Sequence, residues 1–352
     1  MLTPQGCARR RERLLTEMQA NGWDLFLTGN YRTAYYFTGV LAPSESPVLF
    51  LQWPDGSHCL LQTETYSPDR CVTHPFHDLG LKLAEVLRSN PPRNPGMEGP
   101  GALAMHALLL NGYSDATTAV LEMRRTKEPD EIDEIRASLA LCRVAYDAAR
   151  ATIQPGVTEL DVYLAMHAAI QKTAGAVVPF PGDFACGKRC IRGGGPPTTR
   201  VLEQGDLYIL DLFPAPALYF GDTCRTFAVG GEPTGTQRRA WELVMEARSM
   251  AEHLVRPGVP ARSVHARVQQ FLDVHPVTRG SFWHHLGHGI GHHGHEAPRI
   301  MPPSDDVFRE GDVITLEPGV YGEALQGGIR LEDNYIVREG GLENLFDYPL
   351  EL

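Results

Sequence analysis

The sequence predicts an α+β protein of two domains, a small α/β unit over residues 1–123 and a larger, internally duplicated unit over 124–352. Three observations predict it. The chain has 352 residues, and a single core rarely extends over more than about 250. The charged stretch Arg124-Arg125-Thr126-Lys127-Glu128-Pro129 marks a boundary. Beyond it the sequence resembles itself twice in the same order. Ile153-Gln154-Pro155-Gly156-Val157 returns as Val255-Arg256-Pro257-Gly258-Val259, 102 residues on. Leu202-Glu203-Gln204-Gly205-Asp206-Leu207-Tyr208-Ile209-Leu210-Asp211 returns as Phe308-Arg309-Glu310-Gly311-Asp312-Val313-Ile314-Thr315-Leu316-Glu317, 106 residues on. Two related helix–helix–strand halves give such offsets; a solenoid needs three or more short repeats.

The elements follow in order. Residues 8–20 read as a helix, with Leu14, Leu15 and Met18 on one side and Asn21-Gly22 as its stop. Trp23-Asp24-Leu25-Phe26-Leu27 reads as a buried strand closed by Thr28-Gly29. Val48-Leu49-Phe50-Leu51 and His58-Cys59-Leu60-Leu61, across Pro54-Asp55-Gly56, read as a hairpin. Residues 90–101, rich in Pro and Gly, read as a loop. This first region carries no chemical motif. After the boundary, Ile132, Ile135, Leu139 and Cys142 recur at helical spacing.

Composition narrows the function. Acids outnumber bases 43 to 32, a formal net charge of -11, and neither part of the chain is basic (-3 up to Met123, -8 after it). A nucleic-acid-binding role is excluded, because phosphate backbones are held by clustered Lys and Arg. No apolar run reaches the ~18 residues that span a bilayer. Seven scattered cysteines without a CxxC pair suit reduced thiols, and the N-terminus lacks an apolar export segment. A cytoplasmic protein is expected. Six of the fourteen histidines fall between His284 and His295.

The duplicated strands both end in an acid, Asp211 and Glu317. A second acid follows each, Asp222 and Glu332, at a distance that suits a hairpin return. Opposed halves would then gather four carboxylates. Close like charges raise one another's pKa values, so such a cavity calls for cations. Four carboxylates and one imidazole suit two hard or borderline divalent ions. His288, in Leu286-Gly287-His288-Gly289-Ile290-Gly291, is the expected imidazole. Singly each acid has a plainer reading: a strand-end or turn acid, or a surface pair of Asp222 with Arg225. The symmetry favours the metal site.

Six segments carry a family resemblance: Ile209-Leu210-Asp211-Leu212, Gly221-Asp222-Thr223-Cys224-Arg225-Thr226, Leu286-Gly287-His288-Gly289-Ile290-Gly291, His295-Glu296-Ala297-Pro298, Thr315-Leu316-Glu317-Pro318-Gly319-Val320-Tyr321 and Gly328-Ile329-Arg330-Leu331-Glu332-Asp333. They resemble the "pita-bread" metallopeptidases, which include Xaa-Pro aminopeptidases, prolidases and methionine aminopeptidases. The region around Tyr36-Phe37-Thr38-Gly39 is similar to the creatinase-like N-terminal domain of the proline-peptidase branch. The resemblance implies that domain followed by a pita-bread catalytic domain, in a homodimer. It implies Asp211, Asp222, His288, Glu317 and Glu332 as ligands of two divalent ions, manganese, zinc or cobalt. It makes Glu317 the general base, His284 and His295 further catalytic histidines, Arg330 an arginine behind the ligands and Tyr321 a residue lining the site.

The implied reaction is hydrolysis of the bond preceding proline in a small peptide. Two cations would acidify a water that attacks the scissile carbonyl, with Glu317 taking its proton and His295 steadying the oxyanion. The tertiary amide has no N–H, so the proline ring must be read by shape, with Phe180 as a candidate wall. Dipeptides are preferred over longer peptides, with an aminopeptidase P as the alternative. Arg32 or Ser44-Glu45-Ser46 would cap the substrate carboxylate. A metal-free creatinase-like hydrolase or a binding protein on the same scaffold is remote, because all five ligands are present. The family's Pro-His-Gly histidine is missing: Gly194, in Gly193-Gly194-Gly195, stands in its place. His292 and His293 also depart from the pattern, and one of them is a candidate to restore that contact.

Overall fold

A computed structural model describes residues 1–41, 47–62, 72–73, 79–99 and 112–352. Two compact units emerge: Met1–Arg124 with Glu128–Asp130, and Arg125–Lys127 with Glu131–Leu352.

The first unit contains α1 (Pro4–Asn21), β1 (Leu25–Thr28), α2 (Tyr31–Thr38), β2 (Val48–Gln52), β3 (His58–Gln62), β4 (Val72–Thr73), α3 (Leu79–Ser89), β5 (Pro95–Glu98), β6 (Ser114–Asp115) and α4 (Thr117–Arg125). Its strands form one mixed sheet in the order β4-β3-β2-β1-β5-β6. Successive strand residues point to opposite faces. Phe26 and Phe50 therefore join Leu14, Met18, Phe37 and Val120 on one side. Leu25, Leu27, Leu49 and Leu51 join Leu83, Leu87 and Met97 on the other. Both faces are covered, which is why β1 reads as an unbroken apolar run.

The first helix starts four residues earlier than its apolar spacing suggests. Thr3 caps it by accepting from the Gly6 amide, and Pro4 opens the first turn, where its missing N–H costs nothing. The expected loop at 90–101 contains a strand, β5. Proline is tolerated at the first strand position, and Gly96 is required beneath Trp23, because a Cβ there would sit 2.4 Å from the indole. Turn residues here serve close approach rather than a turn.

The second unit is the duplicated one. Its first half holds α5 (Pro129–Thr152), α6 (Glu159–Ala174), β7 (Gly182–Cys186), β8 (Leu207–Leu212) and β9 (Thr223–Ala228). Its second half holds α7 (Gly235–Leu254), α8 (Ala261–Val274), β10 (Gly287–Gly289), β11 (Glu296–Ile300), β12 (Val313–Leu316), β13 (Gly319–Gly322), β14 (Gly327–Arg330), β15 (Asp333–Arg338) and β16 (Gly341–Asn344).

The repeat seen in sequence is a repeat of hydrogen bonds. Gly156 donates to the Leu202 carbonyl and Gly258 to that of Phe308, at 3.0 and 2.9 Å. Gly205 donates to Val229 and Gly311 to Val337, both at 2.9 Å. Glu159 donates to Arg200 and Ala261 to Asp306, at 3.0 and 2.8 Å. The matched residues lie 102, 106 or, for Val229 and Val337, 108 residues apart, so both halves tie their interhelical turn to their strand in one way.

The strands form an antiparallel sheet β7-β8-β9, a sheet β11-β10-β12-β15-β16 and the ribbon β13-β14. Apolar faces of α7 and α8 (Leu243, Val244, Ala247, Val264, Val268 and Leu272) cover Ile314, Leu316, Val320 and Ile329 in the main core. The opposite side of the strands is left for polar residues. Among the described residues, no helix is long and apolar enough to cross a membrane.

Candidate metal centre

Alternation along the strands places the acids. Asp211 on β8 is in register with Asp183 on β7 and with Cys224 on β9, so all three share one face. Asp222, two residues before Cys224, follows on that face. In the second half, Leu316 pairs with Asp333 where β12 meets β15, and Glu317 and Glu332 are the next residues outward. The two halves meet at the site itself. Cys224 and Glu332 exchange backbone hydrogen bonds, 3.2 Å from the Cys224 amide and 3.0 Å from that of Glu332. Arg225, buried behind them, donates to the Glu332 carbonyl at 2.9 Å and to Asp333 at 2.7 Å. Its partner is thus Asp333, not the surface pairing with Asp222 that the sequence allowed.

His288 enters from β10. Its glycine neighbours are needed there, since a Cβ on Gly287 would meet the Thr315 carbonyl at 2.1 Å and one on Gly289 the Ala297 carbonyl at 2.0 Å. Nδ1 of His288 lies 3.0 Å from the Gly289 carbonyl. Nε2 is therefore left for the acids, 3.4 Å from Glu317 and 3.7 Å from Asp222.

The five residues form two overlapping groups. Ligand atoms of Asp211, Asp222 and Glu332 lie within 4.8 Å of one another, and so do those of His288, Glu317 and Glu332. Glu332 belongs to both. One oxygen each of Asp211 and Glu332 is buried with no hydrogen-bond partner, a costly state for a carboxylate unless a cation completes it. Oxygen donors with a single imidazole fit divalent ions of the hard to borderline class.

Charge reinforces that fit. Burial raises Asp211 to about 6 despite the pull of Arg330. Burial, then the charges of their neighbours, lift Asp222 and Glu332 well above the usual carboxylate range. Glu317 differs: the imidazoles of His285 and His288, 3.1 and 3.4 Å from its carboxylate, overcome its burial and hold it well below that range.

The remaining predicted residues divide. Nε2 of His284 lies 2.9 Å from the Tyr321 hydroxyl, which also accepts from Arg330 Nη1 at 3.2 Å. Burial takes His284 down to about 4. His295 stands over His288 with ring centroids 3.9 Å apart. Burial and the adjacent imidazoles bring it to about 4 as well. Both are neutral near pH 7, so each can donate an N–H but brings no positive charge. Arg330 donates through Nη2 to Asp211 and to Asp183. Phe180 is brought to an aromatic group instead, stacked on Tyr163 at 5.7 Å and edge-on to Phe184 at 5.5 Å. Ser44-Glu45-Ser46 lies outside the described residues, and Arg32 is on α2 of the first unit.

Three residues escaped the sequence. His285 places Nδ1 3.1 Å from Glu317. Trp283, 58% exposed, sets its indole 5.3 Å from the Tyr321 ring. Asp183 has the clearest signal, an acid inside the strand Gly182–Cys186. It also answers what fills the room at Gly194: a Cβ there would lie 2.4 Å from the Asp183 carboxyl carbon. His292 is elsewhere, buried with its ring centroid 4.1 Å from that of Tyr219. The His293 amide donates to Glu296 at 3.0 Å.

Duplicated halves that close on a cluster of acids define a metal-site hydrolase scaffold. The chain belongs to metallopeptidase family M24, whose model matches residues 133–339. It is 28% identical to a Xaa-Pro dipeptidase of Pyrococcus furiosus, over 97% of this chain and 99% of that protein. It is 26% identical to a Xaa-Pro dipeptidase of Pyrococcus horikoshii, covering 97% of each. Among solved structures, the prolidase from Pyrococcus horikoshii OT3 superposes with a TM-score of 0.85 at 24% identity, covering 98% and 99% of the two chains. The X-Pro aminopeptidase from Thermotoga maritima MSB8 gives 0.86 at 23% identity, covering 97% and 98%. The α+β, pita-bread fold expected from the motifs is the fold found.

Proposed function

We propose that the chain is a metal-dependent Xaa-Pro dipeptidase with Asp211, Asp222, His288, Glu317 and Glu332 as ligands of two divalent ions, manganese, zinc or cobalt. The observation that carries this is Glu332, common to two groups that each bring three donor atoms within 4.8 Å of one another. The near-full-length likeness to two Xaa-Pro dipeptidases supports the reaction. A homodimer in the cytoplasm is part of the proposal. The free thiols of Cys7, Cys59, Cys142, Cys186, Cys190 and Cys224 support a reducing compartment.

Bound divalent ions supply Lewis acidity, which polarises the scissile carbonyl and acidifies water. The chain's own groups do the rest. Glu317, kept ionised by His285 and His288, accepts the proton of the attacking water. His295, neutral and at the edge of the cluster, donates an N–H to the oxygen on which charge develops. His284 and Arg330 fix the Tyr321 hydroxyl, so that wall of the site is rigid before substrate arrives.

Release of the N-terminal alanine from Ala-Pro and from Ala-Pro-Ala tests the proposal. A dipeptidase cleaves the first and leaves the second. Cleavage of both makes it an aminopeptidase P, and cleavage of neither by the metal-loaded protein removes the reading.

A further inference from the structure

Asp183 is a carboxylate beside this centre that belongs to neither ligand group. It faces Asp211 across the β7–β8 ladder. One nitrogen of Arg330, Nη2, reaches both: 2.9 Å to Asp183, with Asp211 as its other acceptor. The other terminal nitrogen is used by Tyr321 and the Gly193 carbonyl, at 3.2 and 3.4 Å. Asp211 is almost wholly buried, whereas the Asp183 side chain is 35% exposed. A half-wet carboxylate is far cheaper to keep ionised than a dry one.

We propose that Asp183 is a positioning residue that shares the charge of Arg330, leaving Asp211 free to bind its metal ion. A guanidinium with Asp211 as its sole acidic partner would engage that carboxylate fully and set an uncompensated positive charge beside the ion. With Asp183 present the guanidinium is neutralised from outside the cluster. Gly194 is the other half of this device. Its missing side chain leaves the room that the Asp183 carboxylate fills, and the Asp183 Cβ is itself only 2.6 Å from where a Cβ on Gly194 would stand. An acid inside β7 and a bare backbone at 194 are therefore one feature.

The inference rests on reading the cluster as a metal centre, and its test separates the two. Calorimetric titration of the metal-free full chain with Mn²⁺ compares wild type, Asp183→Asn, and the relocation variant Asp183→Gly with Gly194→Asp. Relocation brings a carboxylate into the same space from the Gly193–Gly195 segment, and glycine at 183 makes the room. Thermal unfolding of each protein is followed alongside. Asp183→Asn keeps shape and removes charge. It is expected to weaken one of two Mn²⁺ sites by about 10–100-fold, the usual cost of losing a partner of a ligand. Relocation is expected to restore most of that loss. Wild-type affinity in Asp183→Asn overturns the inference, as does a lowered melting temperature with unchanged affinity, which makes Asp183 merely structural. A folded relocation variant that binds no better than Asp183→Asn also overturns it. A wild-type chain that takes up no Mn²⁺ sinks the metal reading itself.

Discussion

Cys224 and Glu332 are joined by a reciprocal pair of backbone hydrogen bonds, 3.2 and 3.0 Å, although 108 residues separate them. Through this pair the strand end of one half fixes Glu332, the proposed ligand from the other. Arg225 locks it from behind, donating to both carbonyls at 2.9 Å and to Asp333 at 2.7 Å. Removing one partner of a buried ion pair leaves an unpaired buried charge, at a cost of about 3–5 kcal/mol. Arg225→Met is expected to lower unfolding free energy in urea by that amount and to lose metal with it. A variant as stable as wild type contradicts this role for the arginine.

The raised carboxyls make metal binding pH-dependent in a defined direction. In the metal-free chain Asp211 is lifted from 3.8 to about 6, and Asp222 and Glu332 are raised as well. A raised carboxyl favours the folded state when protonated. That contribution is fully present below about pH 4 and lost as the pH rises through about 6. Metal competes with those protons, so the rise in melting temperature on adding Mn²⁺ should be small near about pH 5 and grow toward about pH 7.5. An equal rise at both pH values contradicts the shifts.

Gly289 is tested by its own Cβ. Alanine there would place that atom 2.0 Å from the Ala297 carbonyl, so β10 and β11 must part and carry His288 with them. Overpacking of this kind costs about 1–3 kcal/mol. Gly289→Ala is expected to melt earlier and to bind less metal; unaltered metal content contradicts the close approach.

His292 and His293 are not needed for proton transfer if Asp183, rather than an imidazole, fills the room beside Gly194. His292→Ala should lose about 1 kcal/mol through its contact with Tyr219 and still cleave Ala-Pro near the wild-type rate. His293→Ala should do the same without the stability loss. A rate loss of about 100-fold in either, the scale of a lost general acid or base, contradicts this and restores the histidine as a substitute.

Legibility in the sequence followed distance along the chain. The acids Asp211 and Glu317 could be read because each ends a segment that occurs twice, and a repeat makes two weak signals one strong one. His288 was legible through its glycines, whose need is the 2.0–2.1 Å approach of two carbonyls. Asp183 was not, because its meaning lies in Arg330, 147 residues away, and no local pattern pairs them. His285 was hidden by its neighbours: among six close histidines, only the fold tells which imidazole turns toward Glu317. The strand at Pro95–Glu98 was obscured by residues that usually signal turns but here admit the ring of Trp23.

The account stands on one carboxylate serving two ions. Elemental analysis of the purified metal-loaded protein, wild type against Glu332→Gln and Asp211→Asn, tests that most directly. The wild type should hold two divalent ions per chain. Glu332→Gln should lose both, because the two ligand groups share that residue, and Asp211→Asn should keep one. A wild type with no bound ion, or a Glu332→Gln chain that still holds two, would contradict the shared centre.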